Sequence, residues 1–284
     1  NKILRLTPEM ERQKGNTLFV GGRLGLFKMS DYAGIDPERG VHMIWEIDRA
    51  KYNETGQYIR TGRKIPFTDT NSSLNEMVMN DKSSIPTFFG GFDNNFSYKG
   101  FDLGVLFTFS GGNYIYNSRE KEWTAPSNGY WMKKADLLEY SWTKPGQTDA
   151  KYPILFMEGF APATTAWDLN AIDPKTGLTG YWTNPDINNL VNPNAKETYD
   201  KNGALFLSKY LQKADYLRLK SLTLGYNFPK KLISNLYVEN LRIYGSATNL
   251  LTFTEYTGFD PETGANPSIL PLVKTYNFGV TVTF

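Results

Sequence analysis

Read by alternate positions, the chain is most ordered between Phe88 and Phe109, FFGGFDNNFSYKGFDLGVLFTF. Phe101, Leu103, Val105, Phe107 and Phe109 alternate with Asp102, Gly104, Leu106 and Thr108. A period of two predicts a strand with distinct faces. Upstream, Phe92, Phe96 and Tyr98 share one parity, with Asn94 as the exception. Lys99-Gly100 lies between the runs and predicts a two-residue hairpin turn. That turn sets Tyr98 opposite Phe101 and gathers both aromatic series on one face, so turn and pattern agree on the register.

Three further strands are expected. Leu222, Leu224, Tyr226 and Phe228 alternate with Thr223, Gly225 and Asn227 until Pro229. Leu217 and Leu219 have the opposite parity, which predicts a bulge or a change of environment near Lys220-Ser221. Leu241, Ile243, Gly245, Ala247, Leu251 and Phe253 share a face with Asn249. In the last stretch, Tyr276, Phe278, Val280, Val282 and Phe284 stand against Thr275, Asn277, Gly279, Thr281 and Thr283. Elsewhere the pattern is weaker. Leu18 to Phe27 reads as a strand or a packed loop, and Pro229 to Asn240 as room for one helical turn. Ser110 to Ala214 is long and irregular, rich in Pro, Gly, Asn and Asp, with a short helix expected near Lys133 to Tyr140.

Alternation alone fits a soluble β-sandwich and a membrane barrel equally. Three details favour the barrel. Phe101 to Phe109 and Tyr276 to Phe284 each match the roughly 9 to 11 residues of a tilted membrane strand. Tyr98, Phe101, Tyr226, Phe228 and Phe284 sit at strand ends beside short turns or the terminus, as an aromatic girdle would. The polar faces carry Asp102, Asn95, Thr and Ser, which suit a wet lumen. Long loops on one side with tight turns on the other also belong to outer-membrane barrels. Five strands leave two open edges, which lipid does not tolerate, so on this reading the chain is not a whole barrel.

Composition narrows the chemistry. The 284 residues carry a net charge of +2 with Lys and Arg scattered, which argues against a nucleic-acid surface. The absence of Cys excludes disulfides, thiol nucleophiles and cysteine-zinc sites. His42 is the sole histidine, so no two-histidine metal site exists, and neither metal nor cofactor is expected. In GVHMIW it reads as a solvated or hydrogen-bonding loop residue. No run approaches the ~18 apolar residues of a membrane helix. The chain begins at Asn1 without an initiator Met or a signal-peptide pattern, so either a cleaved leader or a larger part of the protein is expected upstream.

A short pattern recurs as IDPERG (Ile35 to Gly40), IDPKTG (Ile172 to Gly177) and FDPETG (Phe259 to Gly264). Asp bonds the backbone ahead of it, Pro presets φ, and Gly supplies a positive φ at the exit. A repeated turn is the expectation, because each copy has too few carboxylates for calcium. No catalytic constellation emerges, and the protein reads as no enzyme. The irregular segment carries Trp123, Trp131, Trp142, Trp167 and Trp182, with Tyr181 beside the last. Of these, Trp123, Trp131, Trp167, Tyr181 and Trp182 are the candidates for partner or ligand contact, against loop packing as the ordinary role. Asp168, Asp173 and Asp186 form an equally open acidic group.

The ordered motifs resemble one family. TFFGGFDNNFSYKGFDLGVLFTFSGGNYIYN (Thr87 to Asn117) looks like a hallmark of SusC/RagA-type TonB-dependent outer-membrane transporters. KADYLRLKSLTLGYNFP (Lys213 to Pro229) and LRIYGSATNLLTFTEYTGFDPE (Leu241 to Glu262) are similar to two more. YAGIDPERG (Tyr32 to Gly40) and SWTKPGQTDAKYP (Ser141 to Pro153) resemble loops before and between them.

The resemblance implies an all-β fold: the C-terminal strands of a transmembrane antiparallel β-barrel, 22-stranded in the family, with long extracellular loops. Residues 1–284 would be barrel, with 110–214 an extracellular loop region and the plug and upstream strands absent. The implied function is outer-membrane, TonB-dependent import of oligosaccharides or oligopeptides. The implied partners are the rest of the transporter, a SusD-like lipoprotein lid, TonB acting through the missing plug, membrane lipid and the cargo itself. Tyr276, Phe278, Val280, Val282 and Phe284 look like the C-terminal signal read by barrel-assembly machinery. The rival reading is a soluble β-rich carbohydrate-binding module; a secreted glycosidase ranks below it.

Overall fold

The computed structural model describes residues 1–12, 17–38, 40–67, 69–124, 133–154, 165–172, 179–186, 206–234, 237–264 and 270–284. Its early strands are β1 (Leu26–Ser30), β2 (Tyr32–Ile35), β3 (His42–Ile47), β4 (Arg60–Pro66) and β5 (Glu76–Ser83). The hairpin anticipated from the alternation follows as β6 (Phe88–Tyr98) and β7 (Phe101–Gly111). Then come β8 (Tyr114–Tyr116), β9 (Thr165–Ile172), β10 (Thr179–Asp186) and β11 (Leu211–Lys213). The last three are β12 (Tyr216–Asn227), β13 (Asn240–Thr254) and β14 (Thr275–Thr283). Two compact units result, one from Asn1–Lys82 with Tyr116–Leu211, the other from Ser83–Ile115 with Gln212–Phe284.

In the first unit, β2, β3 and β4 form an antiparallel sheet with Ile44 opposite both Tyr32 and Ile65. His42 and Ile44 point inward, alternating with Met43 and Trp45. His42 is therefore a buried strand residue and not a solvated loop residue: its place in the period-two pattern of HMIWEI decides its burial. The core gathers Ile44, Phe67, Leu207 and Tyr210, with Tyr32, Ile65 and Tyr116 packed on it. After β3, Asp48 caps the helix Arg49–Thr55 by accepting from Lys51 N at 3.0 Å, and Gly56 ends it at φ 73°.

The first DP turn is built as its residues dictate. Asp36 Oδ1 accepts from Glu38 N at 2.9 Å, and Gly40 leaves the turn at φ 68°. Its Pro37 carbonyl accepts from Trp142 Nε1 at 2.7 Å and from Gly146 N at 2.9 Å. The Trp-containing loop thus folds onto the turn.

The region expected to be irregular contains more order than its composition suggests. A helix at Leu137–Tyr140 lies within the predicted stretch. A second spans Ser118–Thr124, and β9 pairs with β10 as an antiparallel hairpin. Leu18 to Leu24 is turn and coil, with Gly21 and Gly25 at positive φ before β1 begins at Leu26.

In the second unit, the five strands predicted from alternation form one antiparallel sheet in the order β14-β13-β12-β7-β6. Lys99 and Gly100 both have positive φ, 46° and 88°, and Tyr98 pairs with Phe101 as the hairpin requires. Between Pro229 and Asn240 a single turn of helix, Lys230–Ile233, forms as expected.

Candidate functional site: a lipid-facing sheet with a polar reverse side

The register resolves the parity conflict in β12. Leu219 pairs with Phe107 and Ser221 with Leu106, so Lys220 is the extra residue of a bulge. Leu217 and Leu219 thereby join Leu222, Leu224 and Tyr226 on one face. They stand opposite Phe109, Phe107, Val105, Leu103 and Phe101 of β7. On the other flank the same residues meet Phe253, Leu251, Ala247, Gly245 and Ile243 of β13. Asn249 lies at the matching irregularity of β13, with φ 53°, and its Nδ2 donates to Val273 O at 3.1 Å.

Beyond β13, Tyr276, Phe278, Val280 and Val282 stand opposite Ala247, Gly245, Ile243 and Leu241. Aromatic rings cover the bare glycines: Phe278 lies over Gly245, and Phe109 over Gly90. Phe92 stacks on Phe107 at 4.9 Å, a contact of about 0.5–1.5 kcal/mol beyond area burial. Much of the face is left uncovered, most of all at its edge strands, with Phe96 59%, Phe278 87% and Phe284 85% exposed, while Leu219 and Ala247 are buried between their neighbours. Soluble proteins rarely leave a contiguous apolar surface of this extent open to water. At the short-turn end, Phe101 and Tyr226 meet at 4.6 Å and Tyr226 and Phe228 at 4.9 Å. The expected girdle residues therefore assemble at one rim.

The reverse side carries hydroxyls, amides and paired charges. Asp102 and Arg242 meet there, with Asn227 Nδ2 donating to Asp102 Oδ1 at 3.1 Å. Toward the other end, Arg218 is 1% exposed and donates through Nη2 to Asp260 Oδ1 at 2.6 Å. Asp260 belongs to the third DP turn and also accepts from Glu262 N at 2.9 Å. Gly264 leaves this turn at φ 77°. The motif thus folds as a turn in its first and third copies. In the second, positions 173–177 lie outside the described residues.

In the first unit, burial and the positive charge of Lys209 hold the His42 imidazole well below its ordinary pKa. Lys209 Nζ donates to Lys151 O at 3.1 Å and lies 5.3, 5.5 and 5.9 Å from the rings of Tyr32, Tyr152 and Tyr210. Burial brings the Lys209 amine down to about 8 and pushes the Tyr32 hydroxyl up to about 12.

Of the aromatic contact candidates, Trp123 is half-buried on the helix Ser118–Thr124. Trp167 on β9 stands opposite Trp182 on β10, and Tyr181 opposite Asp168. Their side chains lie outside the described residues, as do Trp131 and Asp173 altogether. The β9–β10 hairpin brings Trp167 and Trp182 together, a pairing that the sequence reading missed. Its signal was the alternation of Trp167, Leu169 and Ala171 with Asp168 and Asn170.

No family model matches the chain. TonB-dependent receptor P39 of Formosa agariphila is 26% identical over an alignment of 296 residues, covering 93% of this chain and 24% of the receptor. TonB-dependent receptor P3 of the same organism is 26% identical, covering 75% of this chain and 18% of its own. The solved RagAB peptide transporter superposes with a TM-score of 0.62 and 25% identity, covering 96% of this chain and 24% of its own. The RagAB peptide importer in its 'closed-closed' state, at 24% identity and a TM-score of 0.59, shows the same fold over 94% of this chain and 24% of its own. The chain spans between 18% and 24% of the length of these relatives.

An open antiparallel sheet with one apolar and one polar face, superposing on such structures, is part of a transmembrane β-barrel wall. The relatives are receptors and transporters rather than enzymes. They agree with the resemblance carried by the ordered motifs: over most of its length the chain is similar to TonB-dependent receptors and to RagAB, and a C-terminal part of a SusC/RagA-type transporter fits it.

Proposed function

We propose that the assembled protein carrying this chain is an outer-membrane, TonB-dependent importer of oligosaccharides or oligopeptides. In this reading the five-stranded sheet supplies barrel wall and lumen lining, and residues 110–214 supply extracellular loops. Trp123, Trp131, Trp167, Tyr181 and Trp182 contact a SusD-like surface lipoprotein or the cargo. The remaining barrel strands pair with the outer edges of β6 and β14, and TonB acts through the plug. Tyr276, Phe278, Val280, Val282 and Phe284 present the strand read by the barrel-assembly machinery.

One observation carries the reading. The five strands expose a broad apolar face, interrupted in β6 by Asn94, and turn an ion-paired polar face the other way, as a wall between lipid and water must. The peptide transport named for RagAB supports the oligopeptide branch.

The test is purification from outer membranes in mild detergent, with every co-purifying polypeptide identified by mass spectrometry. Upstream barrel and plug segments together with a lipidated surface protein are expected. Recovery of this chain alone, soluble and β-rich once detergent is removed, would overturn the proposal in favour of a carbohydrate-binding module.

A further inference from the structure

The short-turn rim of the five-stranded sheet brings three exposed lysines beside the aromatic girdle. Asn227 N donates to Gly100 O at 2.7 Å, so the β6–β7 turn abuts the start of the β12–β13 connection. Glu239 N donates to Thr283 O at 2.7 Å, which draws the end of β14 to the same rim. Lys99, held at φ 46°, carries its ammonium 5.2 Å over the ring of Tyr98. The turn of helix Lys230–Ile233 is anchored by Ile233, 2% exposed, and leaves Lys230, Lys231 and Leu232 outside. Tyr237, in the same connection, is 92% exposed. Of the nearby acids, Asp102 is held by Arg242, and Glu239 stands beside the end of β14.

Exposed rings and a Leu next to long cationic side chains suit a membrane interface. The apolar parts lie at headgroup depth while the lysine stems extend the ammonium groups to phosphate. We propose that Lys99, Lys230 and Lys231, with Tyr98, Phe228 and Leu232, form a binding surface for the phosphodiester headgroups of anionic glycerophospholipids. The surface rests on the reading of the sheet as barrel wall. Lipid A phosphates offer the same chemistry, but the short turns of outer-membrane barrels face the periplasm, which assigns the ligand to the inner leaflet.

The test uses the assembled transporter in bilayers of phosphatidylcholine containing either phosphatidylglycerol or lipid A. Lipids retained after mild delipidation are counted by mass spectrometry. The native protein is expected to retain phosphatidylglycerol over phosphatidylcholine, by up to roughly fivefold per lysine. The preference should fall as salt rises. Lys99→Gln, Lys230→Gln and Lys231→Gln together should abolish it, while the three Lys→Arg changes should keep it. No preference in the native protein, an unchanged preference in the Gln variant, or retention of lipid A instead would overturn the proposal. A chain that never enters the bilayer would instead defeat the transporter reading, so the two failures are distinguishable.

Discussion

Asp102 on β7 and Arg242 on β13 are joined across the strand between them, directly above Gly225 of β12. Arg242 reaches the carboxylate with Nη2 at 2.5 Å and Nε at 3.2 Å. A Cβ on Gly225 would stand 2.5 Å from the guanidinium and 2.6 Å from the carboxylate. The clasp spans three strands because the middle one offers no side chain at that point.

Gly225→Leu is therefore expected to part the clasp and lower the temperature at which the folded form is lost on semi-native electrophoresis. Adding Asp102→Asn to Gly225→Leu should cost little more, since both changes remove one interaction. Additive losses would show that the clasp does not depend on Gly225.

Arg218 and Asp260 are buried together, at 1% and 6% side-chain exposure. Removing one partner leaves an uncompensated charge, so Arg218→Met should destabilise by about 3–5 kcal/mol. Arg218→Met with Asp260→Leu should recover most of that loss. Denaturant midpoints of the refolded protein read both, and equal loss in single and double variants would refute the account.

The two faces of the sheet predict opposite tolerance. Val105 lies on the apolar face near mid-strand, and Thr223 on the reverse side opposite Gly104. Val105→Arg should cost about 2–4 kcal/mol of folding stability in lipid, whereas Thr223→Arg should be close to neutral. The reverse ranking would mean that the faces are inverted.

Trp142 donates to Pro37 O, and its ring covers Gly40, where a Cβ would stand 2.4 Å from it. Trp142→Ala should cost about 3–5 kcal/mol and expose the segment around Gly146 to protease. Gly40→Ala should loosen the same loop, because it adds a clash to a positive φ. Unchanged cleavage in both would show that the loop is held elsewhere.

His42 is kept neutral by burial and by Lys209, so its pKa in the folded chain lies below its ordinary value. The stabilisation is complete above about pH 6.5 and is lost as pH falls below it, where the unfolded chain binds the extra proton. His42→Phe keeps a ring against Tyr32, 5.6 Å away in the native protein. It should flatten the rise in protease sensitivity between pH 6.5 and 4.5, and an identical acid profile would rule His42 out.

The membrane sheet was legible because lipid and water sort residues with a period of two, and a tight turn at Lys99-Gly100 leaves one register. Even the bulge at Lys220 showed itself as a change of parity. The neighbours of β12 were less legible: β7 lies across about a hundred intervening residues, and alternation says which way a side chain points without naming its partner. Trp142 on Gly40 was hidden for a similar reason, since a loop packs by shape and leaves no period. His42 and the β9–β10 strands carried a period that was short enough to be masked by the polar residues around it.

The bulge at Lys220 works as a phase shift. One unpaired residue carries β12 from one beat of a two-beat rhythm to the other, so strands that differ by a single insertion can present the same wall while their sequences appear out of step. Position-by-position comparison across the bulge would set Leu219 against Lys220 and mistake an unchanged surface for an exchange of grease for charge. Relatives of this chain are better compared by face than by residue count.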